Sequence, residues 1–167
     1  MFSSTDEDRV SPIVPAGHRL ASYGRRVGGL AVDLVVINGP VLAAFYAAGY
    51  SPDEATSGDA ALWLTVAITA VGLLYETLCV WRWGRTLGKL ATGTRVVCLV
   101  SGGPLDLTRA FQRSLLPTTV SAIPQVGVFL GIGVYVTAFF DPLRQGIHDK
   151  AAGSIVVMAR HSEVDGT

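Results

Sequence analysis

Three stretches of this chain are long, apolar and almost free of charge: residues 27–50 carry only Asp33, 60–81 only Glu76, and 114–140 none. A helix crossing the hydrocarbon core of a bilayer needs roughly 20 mostly apolar residues, and each stretch is long enough. In a chain of 167 residues, half of them hydrophobic and 16 % charged, this leaves room for one compact unit built around membrane segments. The first stretch is expected to be retained and not cleaved as a signal peptide. The polar segment before it is long, and Asp33, Asn38 and Pro40 interrupt its apolar run.

The segments between the stretches differ in sign. Residues 51–59 carry Asp53, Glu54 and Asp59 with no lysine or arginine. Residues 82–113 carry Arg82, Arg85, Lys89, Arg95, Arg109 and Arg113 against Asp106 alone. Cytoplasmic loops are enriched in lysine and arginine, so the N-terminus and 82–113 are expected in the cytoplasm and 51–59 outside. The first two stretches then form an antiparallel hairpin of transmembrane helices. A single crossing by the third would place Arg144, Lys150 and Arg160 outside. Its middle carries Ile123, Pro124 and Gln125 followed by Gly127, Gly131 and Gly133, residues that can divide it into two short helices or a re-entrant hairpin. The pattern favours cytoplasmic ends on both sides, with a third span as the alternative.

The polar parts are expected to hold little more than a small ribbon. Residues 94–100 read as a strand followed by a Gly-Gly-Pro turn, and 153–159 as a second strand, the two pairing beneath the membrane helices. Leu107, Phe111 and Leu115 recur at helical spacing, with Arg109 and Arg113 elsewhere around the helix, which suits an amphipathic helix lying in the interface. In "GRTLGK", three residues separate Gly84 from Gly88 and Leu90 follows Lys89. A nucleotide loop needs four, then Lys and Ser/Thr, so this reads instead as a glycine turn whose Arg82, Arg85 and Lys89 anchor at the lipid headgroups. Cys79 and Cys98 show neither disulfide nor metal-ligand spacing. No cofactor, metal or nucleic acid is expected. Residues 1–17 and 159–167 read as flexible tails around a membrane domain of 18–158.

On a helical projection, Arg26, Gly29, Asp33, Ile37, Pro40 and Ala44 share one face of the first helix, opposite Val32, Val35, Leu42 and Tyr46. In the second, Thr65, Thr69, Gly72 and Glu76 lie opposite Ala67, Val71, Leu74 and Leu78. Small, polar stripes of this kind let helices approach closely and leave the large apolar faces to lipid. Pro40 lacks an amide hydrogen and is expected to kink its helix. Asp33 and Glu76 each lie roughly 9–10 Å inside the nearest arginine of their own helix, at about 1.5 Å rise per residue. Two carboxylates close together in low dielectric require a cation, an arginine or a shared proton. Two roles remain open for them: holding helix register, or carrying a proton or cation along a path through Asp33, Glu76 and Thr69.

Taken together, "RRVGGLAVDL", "GRTLGKLATGTRVV" and "FDPLRQGIHDKAAGSIVV" resemble the RDD family of small bacterial membrane proteins, named for one arginine and two aspartates. The resemblance runs from about His18 to Met158 and assigns the triad to Arg26, Asp33 and Asp149; "LAT" and "KAAGS" vary slightly from the common wording. It implies a plasma-membrane domain with cytoplasmic termini. For the family, transport of unidentified ligands and, for some members, cation/proton antiport have been suggested. Asp149 would then meet the mouth of the first helix in a clasp with Arg26, with His148 beside it. We expect an all-α membrane protein with a small β-ribbon, acting without catalysis as an accessory or scaffold subunit that associates with a membrane partner or with itself. The alternative is a transporter handling a monovalent cation and a proton.

Overall fold

The structure, a computed structural model, describes residues 14–15, 17–123 and 126–159. Helix α1 (Tyr23–Ala47) starts at Ser22, whose hydroxyl accepts the Arg25 amide, and runs unbroken through Pro40. There Asn38 donates its side-chain amide to the Leu34 carbonyl at 2.7 Å, so a polar side chain at mid-helix is satisfied by its own helix. Helix α2 (Gly58–Trp83) ends at Gly84, whose φ of +67° and amide bond to the Val80 carbonyl make a left-handed cap. Tyr75 meets Asp33 and Gly72 meets Ile37, so the two helices run antiparallel. Both are long and apolar enough to cross a membrane.

Their packing is inverted relative to a water-soluble domain. The buried residues are Gly29 and Asp33 on α1 and Leu64, Gly72, Thr77 and Val80 on α2. Val35 is 71 % exposed, Trp63 70 % and Leu74 61 %, and Val32, Val71 and Leu78 also face outward. Only 11 % of the most apolar window of α1 and 17 % of that of α2 is buried, whereas a core helix of a soluble protein would be mostly covered. Large side chains outside and small or polar ones inside are the arrangement that lipid favours.

The short helix α3 (Leu87–Ala91) follows the Gly84 cap and packs on α1. Its approach is backbone to backbone: a methyl group on Gly88 would strike the Gly29 carbonyl and come within 2.8 Å of the Asp33 carboxyl carbon. The "GRTLGK" stretch thus opens on a glycine turn at Gly84, as expected, and its second half is a helical wedge seated on α1.

The third apolar stretch is divided, as its glycines suggested. Helix α4 (Leu107–Ser121) ends before the break, and α5 (Gly127–Val136) and a 3-10 turn (Thr137–Phe140) follow it; Pro124 and Gln125 lie outside the described residues. Gly127 and Gly131 pass so close to Ser121 that a side chain at either would collide with it. The stretch doubles back, and its two ends meet again: Arg113 of α4 bonds Asp149 of α6 (Ile147–Ala151), and Tyr135 of α5 packs its ring 4.7 Å from His148. Helix α4 is two-faced, as the spacing of Leu107, Phe111 and Leu115 implied. Those three are exposed, while Ala110, Arg113, Ser114 and Pro117 are buried, chiefly against α2.

Strands β1 (Thr94–Cys98) and β2 (Ser154–Met158) pair antiparallel, Thr94 opposite Met158 and Cys98 opposite Ser154. A bare two-stranded ribbon is marginal in water, but this one is covered on both faces. Val96, Cys98 and Val156 pack with Ala21, Val80, Leu105 and Ala110; Val97, Ile155 and Val157 pack with Leu143 and, at the edge, Val14 and Leu20. Residues 19–21 lie along β2 through bonds from Met158 N to the Arg19 carbonyl and from Ala21 N to the Val156 carbonyl. Ordered contacts therefore already begin at Val14, inside the expected tail of 1–17, whereas 1–13 and 160–167 lie outside the described residues.

The Gly88 contact is testable. Gly88→Ala is expected to lower the stability of the detergent-solubilised protein by about 1–3 kcal/mol through overpacking. Gly39→Ala, where a methyl would meet no atom within 4 Å, should leave it unchanged or slightly higher. Thermal unfolding of the two variants side by side checks the difference.

Candidate functional site

Asp33 is the innermost charge on α1, and the chain surrounds it with donors. Tyr75 from α2 donates its hydroxyl to Oδ1 at 2.7 Å, Thr86 donates to Oδ2 at 2.6 Å, and the Gly88 amide donates to Oδ1 at 2.8 Å. Thr86 is also the N-cap of α3, and the Tyr75 hydroxyl accepts the Leu87 amide. The missing side chain at Gly88 lets that amide reach the carboxylate. Three donors thus satisfy both oxygens of this buried carboxylate without direct contact with an arginine.

Lys89 closes the next link. Its Nζ lies 3.8 Å from Asp33 Oδ2, 3.5 Å from Glu76 Oε1 and 3.4 Å from the Thr86 hydroxyl. Expected at the headgroups, it is instead only 15 % exposed and turned inward. Arg82 and Arg85 remain exposed at the surface. Lys89 is a cation of the kind that two neighbouring carboxylates require, and Asp33 and Glu76 are joined through its ammonium.

Arg113 completes the chain of charges. It is 2 % exposed and donates through Nη1 to Glu76 at 2.5 Å and through Nε to Asp149 at 3.0 Å. Asp149 in turn receives Arg26 Nη1 at 3.4 Å, the Gly146 amide at 3.2 Å and the Ser154 hydroxyl at 3.3 Å. Arg26 also donates to the Val156 carbonyl at 3.1 Å, tying α1 to β2. Three carboxylates, Asp33, Glu76 and Asp149, thus alternate with three cations, Lys89, Arg113 and Arg26, in one buried and neutral network spanning α1, α2, α3, α4 and α6. Removing one member would leave an unpaired charge in low dielectric, at a cost of about 3–5 kcal/mol.

His148 stands beside Asp149, its Nε2 3.6 Å from Oδ2, and its Nδ1 is buried without a partner among the described residues. Burial pushes its pKa down to about 4, so it stays neutral near pH 7. For Asp149, burial alone would raise the pKa, but His148, Arg113, Arg26 and the Gly146 amide outweigh it and hold the carboxyl well below the usual range.

Of the residues singled out from the sequence, Arg26 and Asp149 form a pair, and Asp33 and Glu76 join the same network through Lys89. Thr69 makes no hydrogen bond to it among the described residues, and Pro40 lies exposed farther along α1. Arg113, Tyr75 and Thr86 were not anticipated. The signal for Arg113 was present: it shares a helical stripe with Ala110, Ser114 and Pro117, small residues that lie against a neighbour more readily than against lipid.

The RDD family model matches residues 20–153, a span that contains Arg26, Asp33, Lys89, Arg113 and Asp149. No curated protein and no solved structure matches the chain.

Two outcomes follow from this geometry. In a double-mutant cycle, Arg26→Ala and Asp149→Ala are expected to be non-additive, with a coupling of about 0.5–3 kcal/mol in unfolding free energy; strict additivity would exclude the clasp. Because the folded His148 binds its proton less readily than the unfolded one, stability is fully present above pH 6.5. It should fall as the pH drops toward about 4. His148→Gln should flatten the pH dependence of thermal unfolding in that window, leaving the loss due to Asp149 at more acid pH.

Proposed function

Because the chain belongs to the RDD family, whose model covers most of its length, we propose that this membrane protein is a non-enzymatic accessory or scaffold subunit of a larger membrane assembly. It would lie in the plasma membrane with both termini cytoplasmic. The observation that carries this reading is the neutral network: each acidic side chain within α1 and α2 short of the outer loop, Asp33 and Glu76, is matched by a cation or hydrogen-bond donors of the chain itself. A site so fully satisfied is suited to fixing helix positions. The outward apolar faces of α1, α2 and α4 offer surface for a membrane partner or a second copy.

The basic residues of 82–113 favour the network end of the helices facing the cytoplasm. The folded-back α4 and α5 would enter the bilayer from that side and return to it, which accords with the meeting of Arg113 and Asp149. A 10-residue helix such as α5 spans about 15 Å, half of a hydrocarbon core.

A second reading rests on Lys89. Shared between two carboxylates at 3.5 and 3.8 Å, its ammonium occupies the place a monovalent cation would take if the side chain swung out, with proton and cation exchanging at Asp33 and Glu76. Purified protein in liposomes containing a pH-sensitive dye separates the two. On addition of sodium, lithium or potassium under a verified gradient, no proton flux is expected above protein-free vesicles, and a partner should co-purify in fixed stoichiometry. Cation-driven proton flux that disappears in Asp33→Asn would replace the scaffold reading with transport.

A further inference from the structure

Where α2 leaves the apolar zone, a cavity of about 400 Å³ opens between His18, Trp83, Arg85, Arg95, Met158 and Ala159. It lies outside the charge network and differs from it in composition, with two guanidiniums, one imidazole and, among the described residues, no carboxylate in its lining. In the network each guanidinium has an acidic partner. Here neither Arg85 nor Arg95 has an ion pair or a side-chain hydrogen bond among the described residues, and Arg95 Nε is fully buried without a partner. Arg95 is held in place from behind, its guanidinium packed across the side-chain-free Gly84 at the α2 cap. A buried donor without an acceptor costs about 1–3 kcal/mol unless something supplies the acceptor.

The geometry points to an anionic phospholipid headgroup as the partner of the two guanidiniums that line the cavity: we propose that the phosphate of a lipid in the adjoining leaflet is bound between Arg85 and Arg95. Guanidinium forks match phosphate oxygens in pairs, and the volume suits a headgroup of that size. Trp83, 61 % exposed beside the cavity, and Trp81, 43 % exposed one turn-fraction earlier, place indole rings where α2 reaches the interface, the depth at which lipid phosphates lie. A free phosphate shares the chemistry, but the position at the end of a membrane-crossing helix selects the lipid. The proposal needs α2 in the membrane and is independent of whether the protein serves as scaffold or transporter.

The full chain, delipidated in neutral detergent, tests this by thermal unfolding with added phosphatidylglycerol, phosphatidylcholine or inorganic phosphate. Phosphatidylglycerol is expected to raise the melting temperature in a saturable manner, and the other two to leave it unchanged at equal concentration. Arg85→Gln and Arg95→Gln should each weaken the half-saturating concentration about tenfold or more, as expected for losing a charge-assisted bond. Arg82→Gln, at the same helix end but outside the cavity, should behave as the parent chain. Arg85 is exposed, so its variant reports on binding even if Arg95→Gln is unstable. Equal protection of the Arg85 variant, or an equal loss in the Arg82 variant, would overturn the site; protection by inorganic phosphate but not by phosphatidylglycerol would overturn the lipid.

Discussion

The rest of the structure depends on one guanidinium. Arg113 sits almost without exposure between Glu76 of α2 and Asp149 of α6, and its neighbours on the same face of α4 are Ala110, Ser114 and Pro117, which allow α4 to lie close enough for both bonds. Neither carboxylate could be buried there alone, since an isolated charge in low dielectric costs far more than a hydrogen bond returns. Together the three groups satisfy one another and fix where the apolar hairpin of α4 and α5 stands relative to α2. Buried ion pairs contribute little net stability over well-packed apolar residues; their strength lies in the penalty for misplacement. In a bilayer, where apolar side chains are content against lipid as well as against each other, such a penalty is a principal means of specifying one arrangement of helices.

Much of this was legible in the sequence, and the unread part has a physical explanation. Apolar length marked α1 and α2, and helical periodicity put Gly29 and Asp33 on an inward stripe and Val32 and Val35 on an outward one. The glycines of 127–133 marked the break after α4, and β-branched runs marked β1 and β2. Periodicity gives the face a residue occupies on its own helix but not which element comes to meet it. Lys89 accordingly read as a surface cation, because its inward turn depends on α3 docking at Gly29, a contact between positions far apart in the chain. Tyr75 and Thr86 have no signature of their own, since their role is to offer hydroxyls to an aspartate on another helix. Arg113 was the most accessible of the missed residues: the requirement for a cation beside Glu76 was evident, and a basic residue on a stripe of small ones was the natural supplier.

The ribbon has a share in this arrangement. Its strands are covered on one face by the ends of α2 and α4 through Val80 and Ala110, and on the other by Leu143 and the segment before α1. It therefore ties together the places where four segments of the chain begin or end. Ser154 and Val156, both in β2, bond directly to Asp149 and Arg26. The apolar core of the ribbon and the charged network above it are thus two layers of one platform, the first stabilised by exclusion of water and the second by charge matching.

The spacing of the network along the chain has a consequence for how the protein is made. Asp33 finds its hydroxyl and amide partners 42–55 residues later, Glu76 meets Arg113 37 residues later, and Arg26 waits 123 residues for Asp149. A ribosome therefore delivers α1 and α2 to the bilayer before the cations that face Asp33 and Glu76, and each later segment removes part of that debt as it arrives. Nascent chains shorter than α4 would hold the first two helices only loosely, and α6, the last of these segments to arrive, turns them into a single assembled unit.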